Sequence, residues 1–192
     1  MVSNEIRLHW DGKYQRGLPS LEKPDPFFLS AFRQFVAPRF PNGGIAFDLA
    51  GGIGRHALWL AKRNWHVTVV DISTVAIDKL RQKAGKLDLT LNLAAMDATE
   101  YRFAPSQFDL IVMFYHFDRD IVAMMLSALK TSGFVICKSS VVSGIYEGTA
   151  AHNLRPLEKG EIVRRLPGIR ALHNEERVVC DRGVVEYVGQ KC

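Results

Sequence analysis

Apolar residues change spacing along the chain, and the changes separate strands from helices. Residues 45–50 form a short apolar run broken only by Asp48. Gly51, Gly52 and Gly54 follow, and then residues 55–63 carry Ala57, Leu58, Leu60 and Ala61 at helical spacing. The pattern predicts a buried strand, a glycine turn and a helix. Asn64 suits a left-handed stop, and His66–Asp71 is a β-branched run ending in an acid, a second strand. Ser73 can cap a helix running to residue 84, with Ala76, Ile77, Leu80 and Ala84 inward and Gly85 at its end. Residues 87–95 alternate apolar and polar, as a half-exposed edge strand does.

The later units repeat this alternation. Phe108–Phe114 is almost wholly apolar after Asp109, as expected of a strand buried on both faces near the sheet centre. Residues 119–130 read as a helix, and residues 134–142 as another buried strand after Gly133. Residues 157–166 read as one more helix before Pro167. Residues 169–179 and 184–188 then flank Asp181-Arg182-Gly183, a hairpin signal that makes the last strand antiparallel. Near the N-terminus, Asp25-Pro26 is a helix opening, with Phe27, Phe28, Ala31, Phe32, Phe35 and Val36 on its apolar face. Gly17, Pro19 and Pro24 predict little regular structure before it. Strands alternating with helices imply an α/β fold: Rossmann-like and doubly wound, with a mainly parallel seven-stranded sheet and a C-terminal antiparallel hairpin.

Composition narrows the picture. A chain of 192 residues, 47% hydrophobic and 23% charged, can bury one core, so residues 1–44 are expected as a cap segment and helix of the same domain as residues 45–192. No apolar run is long enough to span a bilayer and no signal-type stretch opens the chain, which predicts a soluble, cytoplasmic protein. The three cysteines match neither a disulfide framework nor a zinc pattern, and no metal is expected. A net charge of +5 could suit an anionic partner, but the basic residues are scattered as on solvated helix faces.

Glycines after a strand let the backbone turn sharply and approach a ligand, and N–H groups at a helix start favour negative charge, so the turn points to a nucleotide-like ligand. Two registers fit. Gly52-Ile53-Gly54-Arg55-His56-Ala57, with Asp71 onward, matches the dinucleotide fingerprint in its Ala-ended form. Asp48-Leu49-Ala50-Gly51-Gly52-Ile53-Gly54 resembles motif I of the S-adenosylmethionine methyltransferases, with Ala50 standing at the motif's first glycine.

The succession of elements over residues 45–189 is similar to the class I S-adenosylmethionine-dependent methyltransferase fold. Trp10-Asp11-Gly12-Lys13-Tyr14, Pro24-Asp25-Pro26-Phe27, Gly54-Arg55-His56 and Leu154-Arg155-Pro156 resemble the small tellurite-resistance and thiopurine-type members. The resemblance implies a transferase with S-adenosylmethionine as cofactor and S-adenosylhomocysteine as product. Asp48 and the turn of Ala50, Gly51, Gly52 and Gly54 would hold the methionine end. Asp71 would accept from the ribose hydroxyls, Ile72 would touch the adenine, and Asp97 with Ala98 would read the adenine edge. Phe114 and Tyr115 end the fourth strand at the rim of the crevice where open α/β sheets bind ligands.

Methyl transfer from a sulfonium needs alignment more than chemistry, so no catalytic residue is obligatory. His116 is the best-placed general base if the acceptor must lose a proton. Trp10, Tyr14 and Arg155 are candidates for substrate contact, and residues 140–154 are long enough to cover the site. After Tyr115 there is no Pro-Pro-aromatic motif of nucleic-acid amino methylation, and Cys137 lacks the proline-cysteine setting of a base-carbon nucleophile. A small-molecule acceptor is therefore expected, with sulfur or a chalcogen suggested by resemblance alone. Two rivals stand beside this reading. One is a catalytically silent methyltransferase fold acting as a binding subunit, and the other a nicotinamide oxidoreductase, which lacks a Tyr and Lys four positions apart.

Overall fold

The computed structural model describes residues 2–17, 22–142, 156–179 and 182–192. They form an α/β protein with a mixed seven-stranded sheet and divide into two compact units, Met1–Arg102 and Phe103–Cys192.

In the first unit β1 (Ile45–Leu49), β2 (His66–Asp71) and β3 (Asn92–Ala95) are parallel, in the order β3-β2-β1. Ile45 pairs with His66 and Leu49 with Val70, so Asp71 projects one residue past the end of β1. The β-branched positions Val67, Val69 and Val70 are buried, as a strand covered on both faces requires. Helix α1 (Val2–Arg16) precedes the sheet, where little regular structure was expected. Gly12 weakens it by about 1 kcal/mol relative to alanine, and its stability comes instead from docking against α4 (Thr74–Lys86).

The Asp25-Pro26 start is as expected: Asp25 is extended, accepts from Phe27 N at 2.9 Å and caps α2 (Pro26–Ala31). A π-helical stretch, Phe32–Val36, continues it. Its phenylalanines meet α3 (Arg55–Ala61), with Phe28 4.6 Å from the His56 ring and Phe32 4.9 Å from Trp59. Asn64 takes the left-handed conformation foreseen for it, φ 62°. Helix α4 runs through Gly85, and the stop lies at Asp88, φ 53°. There Leu87 and Leu89 donate back to Ala84 O at 3.0 Å each. Those backbone groups close the helix, so the strand begins only at Asn92 and the leucine alternation before it is turn.

In the second unit β4 (Phe108–Phe114) and β5 (Leu129–Val141) are parallel, while β7 (Arg182–Lys191) runs antiparallel to both β5 and β6 (Ile169–Val179). Helix α5 is shorter than its apolar pattern, Val122–Ala128, because the chain turns extended at Leu129. Lys191 closes its C-terminus, donating to Leu126 O and Leu129 O at 2.7 Å. Only Glu161–Arg165 of the last expected helix forms, as α6. The buried acids here are paired. Glu161 accepts from Arg119 at 2.6 and 2.8 Å, and Glu186 meets Lys138 at 2.9 Å and Arg177 at 3.0 Å. Residue 181 of the expected hairpin turn lies outside the described residues, and Val179 pairs with Arg182 across it.

Gly54 sets how closely α3 and α4 pack. Its φ is +78°, and a Cβ there would lie 2.3 Å from Cδ1 of the fully buried Leu80. Gly54→Ala is expected to destabilise the protein by about 3 kcal/mol, through overpacking and left-handed strain together. Urea unfolding of the two proteins measures the difference.

Candidate functional site

The site in the first unit is built where β1 ends. Three residues in quick succession, Ala50 (φ 51°), Gly52 (φ 56°) and Gly54 (φ 78°), are left-handed, which folds the chain back before α3. Gly54 N donates to Gly51 O at 2.9 Å, and Leu58 N to Gly54 O at 2.8 Å opens the helix. Gly51 has no room for a side chain: a Cβ would stand 2.7 Å from Val69 and 3.0 Å from Asp48 Oδ2. Ala50 is the exception to the glycine rule, an L-residue held where left-handed backbone costs about 1–2 kcal/mol.

Two carboxylates flank this turn. Asp71 Oδ2 accepts from Gly52 N at 2.8 Å and Oδ1 from Ser73 N at 2.9 Å. Burial raises its pKa to about 6, against the pull of the Ser73 and Gly52 amides. Asp48 is 1% exposed, and its Oδ2 has no hydrogen-bond partner. Burial raises its pKa to about 7, Arg55 opposes this, and Asp71 adds to it. Two buried acids thus stand beside one glycine turn, with the Arg55 cation acting on Asp48.

Tyr14 closes the turn. It is 6% exposed, and a Cβ on Gly52 would fall 2.3 Å from its hydroxyl. Burial, with Asp71 next, pushes its phenol upward. Trp10 packs on the cluster of Tyr14, Ile53 and Ala76. Between them in α1, Asp11 reaches the start of α4, a role the sequence reading missed. Its partners lie 62 to 64 positions away, and no local pattern signals them.

Ile72 and Ala98 are half-buried. Asp97 caps the 3-10 turn Ala98–Glu100, accepting from Thr99 N at 3.0 Å and Thr99 Oγ1 at 2.8 Å. His56 is structural: it is buried, its Nε2 accepts from Asp25 N at 3.3 Å, and burial holds it neutral.

The first unit thus brings together Asp48, Ala50, Gly51, Gly52, Gly54, Asp71, Tyr14 and Trp10. Phe114, Tyr115 and His116 belong to the second unit. There Tyr115 follows β4 at φ 59°, 45% exposed, its N–H donating to Lys138 O at 2.7 Å. Phe114 is buried and His116 half-buried. Cys137 is fully buried, and burial alone pushes its thiol upward. His173, Glu175 and Glu186 bring one ligand atom each within 4.8 Å of one another, but Glu186 already holds two cations. Arg155, and residues 143–154 of the proposed cover, lie outside the described residues.

Residues 46–133, a span from β1 into β5, match the methyltransferase-domain family. None of the curated proteins compared matches the chain. Solved structures share the fold. Magnesium protoporphyrin IX methyltransferase from Synechocystis PCC 6803, with bound S-adenosylhomocysteine, is 14% identical over 98% of this chain and 99% of that one, at a TM-score of 0.74. The 1,6-didemethyltoxoflavin-N1-methyltransferase of Burkholderia thailandensis is 15% identical over 97% and 87%, at 0.72. TehB from Haemophilus influenzae is 17% identical over 81% of this chain but 60% of its own, at 0.70.

Two stability measurements follow from this geometry. Ala50→Gly is expected to raise unfolding stability by about 1 kcal/mol, since glycine adopts the left-handed backbone without the Cβ penalty. Asp48 and Asp71 have pKa values raised above the ordinary 3.8, so the folded state binds more protons than the unfolded one across the interval. Their contribution to stability is fully present at pH below about 4 and is lost as pH rises through 6 and 7. Asp48→Asn should therefore match the wild type near pH 4 and exceed it at pH 8, by about 1–3 kcal/mol. Denaturant unfolding of the unliganded proteins at both pH values gives the comparison.

Proposed function

We propose that the methyltransferase domain of this chain binds S-adenosylmethionine on the β1 glycine turn and transfers its methyl group to a small-molecule acceptor. One observation carries this reading: the buried Asp48 Oδ2, an acceptor without a partner beside Gly51, where there is no room for a side chain. An unsatisfied buried acceptor costs about 1–3 kcal/mol, and the ammonium of the cofactor's methionine end would satisfy it.

The residues fit the rest of the group. Asp71 uses one lone pair on each oxygen for Gly52 and Ser73, and its remaining acceptor capacity suits two ribose hydroxyls. The backbone of Ala50, Gly51, Gly52 and Gly54 would line the methionine end. Ile72 and Ala98 would offer apolar contact for the adenine, with Asp97 at its polar edge. When bound, S-adenosylmethionine supplies a methyl carbon already activated by its sulfonium. What the chain must add is alignment of the acceptor and exclusion of water. Trp10 and Tyr14 are the residues of α1 for that task; Arg155 for substrate contact and His116 as base for an acceptor that carries a proton are carried by the sequence alone.

The acceptor class we favour is a sulfur or chalcogen nucleophile. Its support is the N-terminal Trp10 to Tyr14 resemblance to the tellurite-resistance and thiopurine-type enzymes, together with the structural likeness to TehB. The scattered basic residues favour a small molecule over nucleic acid. A soluble, cytoplasmic enzyme is part of the same proposal; no helix among the described residues is long and apolar enough to cross a membrane.

Calorimetric titration tests the cofactor. S-adenosylmethionine and S-adenosylhomocysteine should bind with Kd on the order of micromolar, about −8 kcal/mol. Asp71→Ala and Asp48→Asn should each weaken binding at least about tenfold, and NADH should give no heat. Silence toward both adenosyl ligands would reject the reading. Binding without methyl transfer to any thiol, selenide or tellurite acceptor would leave the fold as a binding subunit.

A further inference from the structure

Five residues of the first unit, Asp11, Ser73, Asp71, Gly52 and Tyr14, close a circuit through α1. Asp11 Oδ1 accepts from Ser73 Oγ at 2.5 Å and from Val75 N at 3.1 Å, and Oδ2 from Thr74 Oγ1 at 3.3 Å. Ser73 is fully buried, and the same hydroxyl accepts from Ala76 N at 3.1 Å to cap α4. Ser73 N donates to Asp71, Asp71 accepts from Gly52 N, and the Tyr14 hydroxyl lies over Gly52. Tyr14 stands three residues after Asp11, on the same face of α1. One face of one helix therefore holds both ends of the site: Asp11 the α4 end, Tyr14 the glycine end.

Little else fixes that helix by polar contact. Fifteen residues with an interior glycine make a marginal helix on their own. Its ties to α4 are the Asp11 carboxylate, the Lys79 Nζ bond to Tyr14 O, and the packing of Trp10 and Tyr14 against Val75, Ala76 and Ile53. Asp11 differs from the others in gripping Ser73, the residue that also orients Asp71. Undocking of α1 would uncover Gly52 and loosen one hydrogen-bonded side of Asp71 together.

We infer that Asp11 is a positioning residue that latches α1 over the glycine turn, so that a ligand held there by Asp48 and Asp71 enters and leaves only when the latch opens. The inference rests on the adenosyl-binding reading above. Asp11 touches no ligand in this scheme and acts through Ser73 and Tyr14.

The test uses the full chain and S-adenosylhomocysteine as probe, with stopped-flow tryptophan fluorescence, Trp10 being carried on α1 itself. Asp11→Ala should speed dissociation about tenfold, equivalent to about 1.4 kcal/mol, without slowing association. Amide hydrogen exchange should quicken over residues 2–16 and stay unchanged in β1 and β2. Asp11→Asn, whose amide oxygen can still accept from Val75 N, should restore part of the effect. Faster exchange in α1 with wild-type dissociation would make Asp11 merely structural and overturn the latch; unchanged exchange would overturn it too. Should Asp11→Ala fail to fold, Asp11→Asn decides alone: dissociation about threefold faster supports the latch, since a charged acceptor is replaced by a neutral one, and an unchanged rate rejects it. A wild type that does not bind the probe fails the adenosyl reading itself, whereas wild-type binding with unaltered variants fails only the latch.

Discussion

One carboxylate orders the first unit. Asp71 ends β2 a residue beyond its pairing with β1, and from there its two oxygens reach the glycine turn on one side and the first residues of α4 on the other. Its backbone carbonyl accepts from Met96 N at 3.0 Å as well, which carries the constraint toward the end of β3. Burying the acid is unfavourable, as its raised pKa records, and two amide hydrogen bonds offset part of that cost. Without them the turn after β1 and the capped start of α4 would have no common reference.

Unfavourable features collect at this strand end. Glu161 and Glu186 in the second unit are buried acids too, yet arginine and lysine hold both below the ordinary carboxylate range. Asp71 instead disfavours the charge of Asp48, Asp11 that of Asp71, and one oxygen of Asp48 is unpartnered. Ala50 adds left-handed strain beside them. A fold under selection for stability alone would pair or remove these groups, and their concentration around one turn is what the proposed adenosyl ligand would account for.

Much of this was legible in the sequence wherever local chemistry decides structure. The β-branched run to Asp71, the apolar run of β4 and the Asp25-Pro26 cap each announce an element whose partners are near or whose burial is complete. The acids at the strand ends, Asp48 and Asp71, stood out because charge at the close of an apolar strand has few structural uses. Helix α1 was hidden because its stability is tertiary: Asp11 serves the N-terminus of a different helix, and Lys79 braces Tyr14 from α4. The leucines of residues 87–91 imitate a strand's alternation while wrapping the end of α4, where Ala84 O takes two backbone donors. Nor could spacing reveal that Ala50 is left-handed, since nothing local favours that backbone for alanine.

The two nucleotide readings of the glycine turn part on charge. A dinucleotide places its pyrophosphate at the helix start, where backbone N–H groups and the helix dipole favour an anion. Helix α3 is only seven residues long, which limits that dipole, and Gly52 N, a donor of the turn, is already committed to Asp71. Asp48 and Asp71 stand beside the turn, and once ionised they repel a pyrophosphate and attract an ammonium. A fold shared at 14 to 17% identity settles the architecture and leaves the ligand open. The sign of the charge around this turn favours the cofactor that brings its own cation.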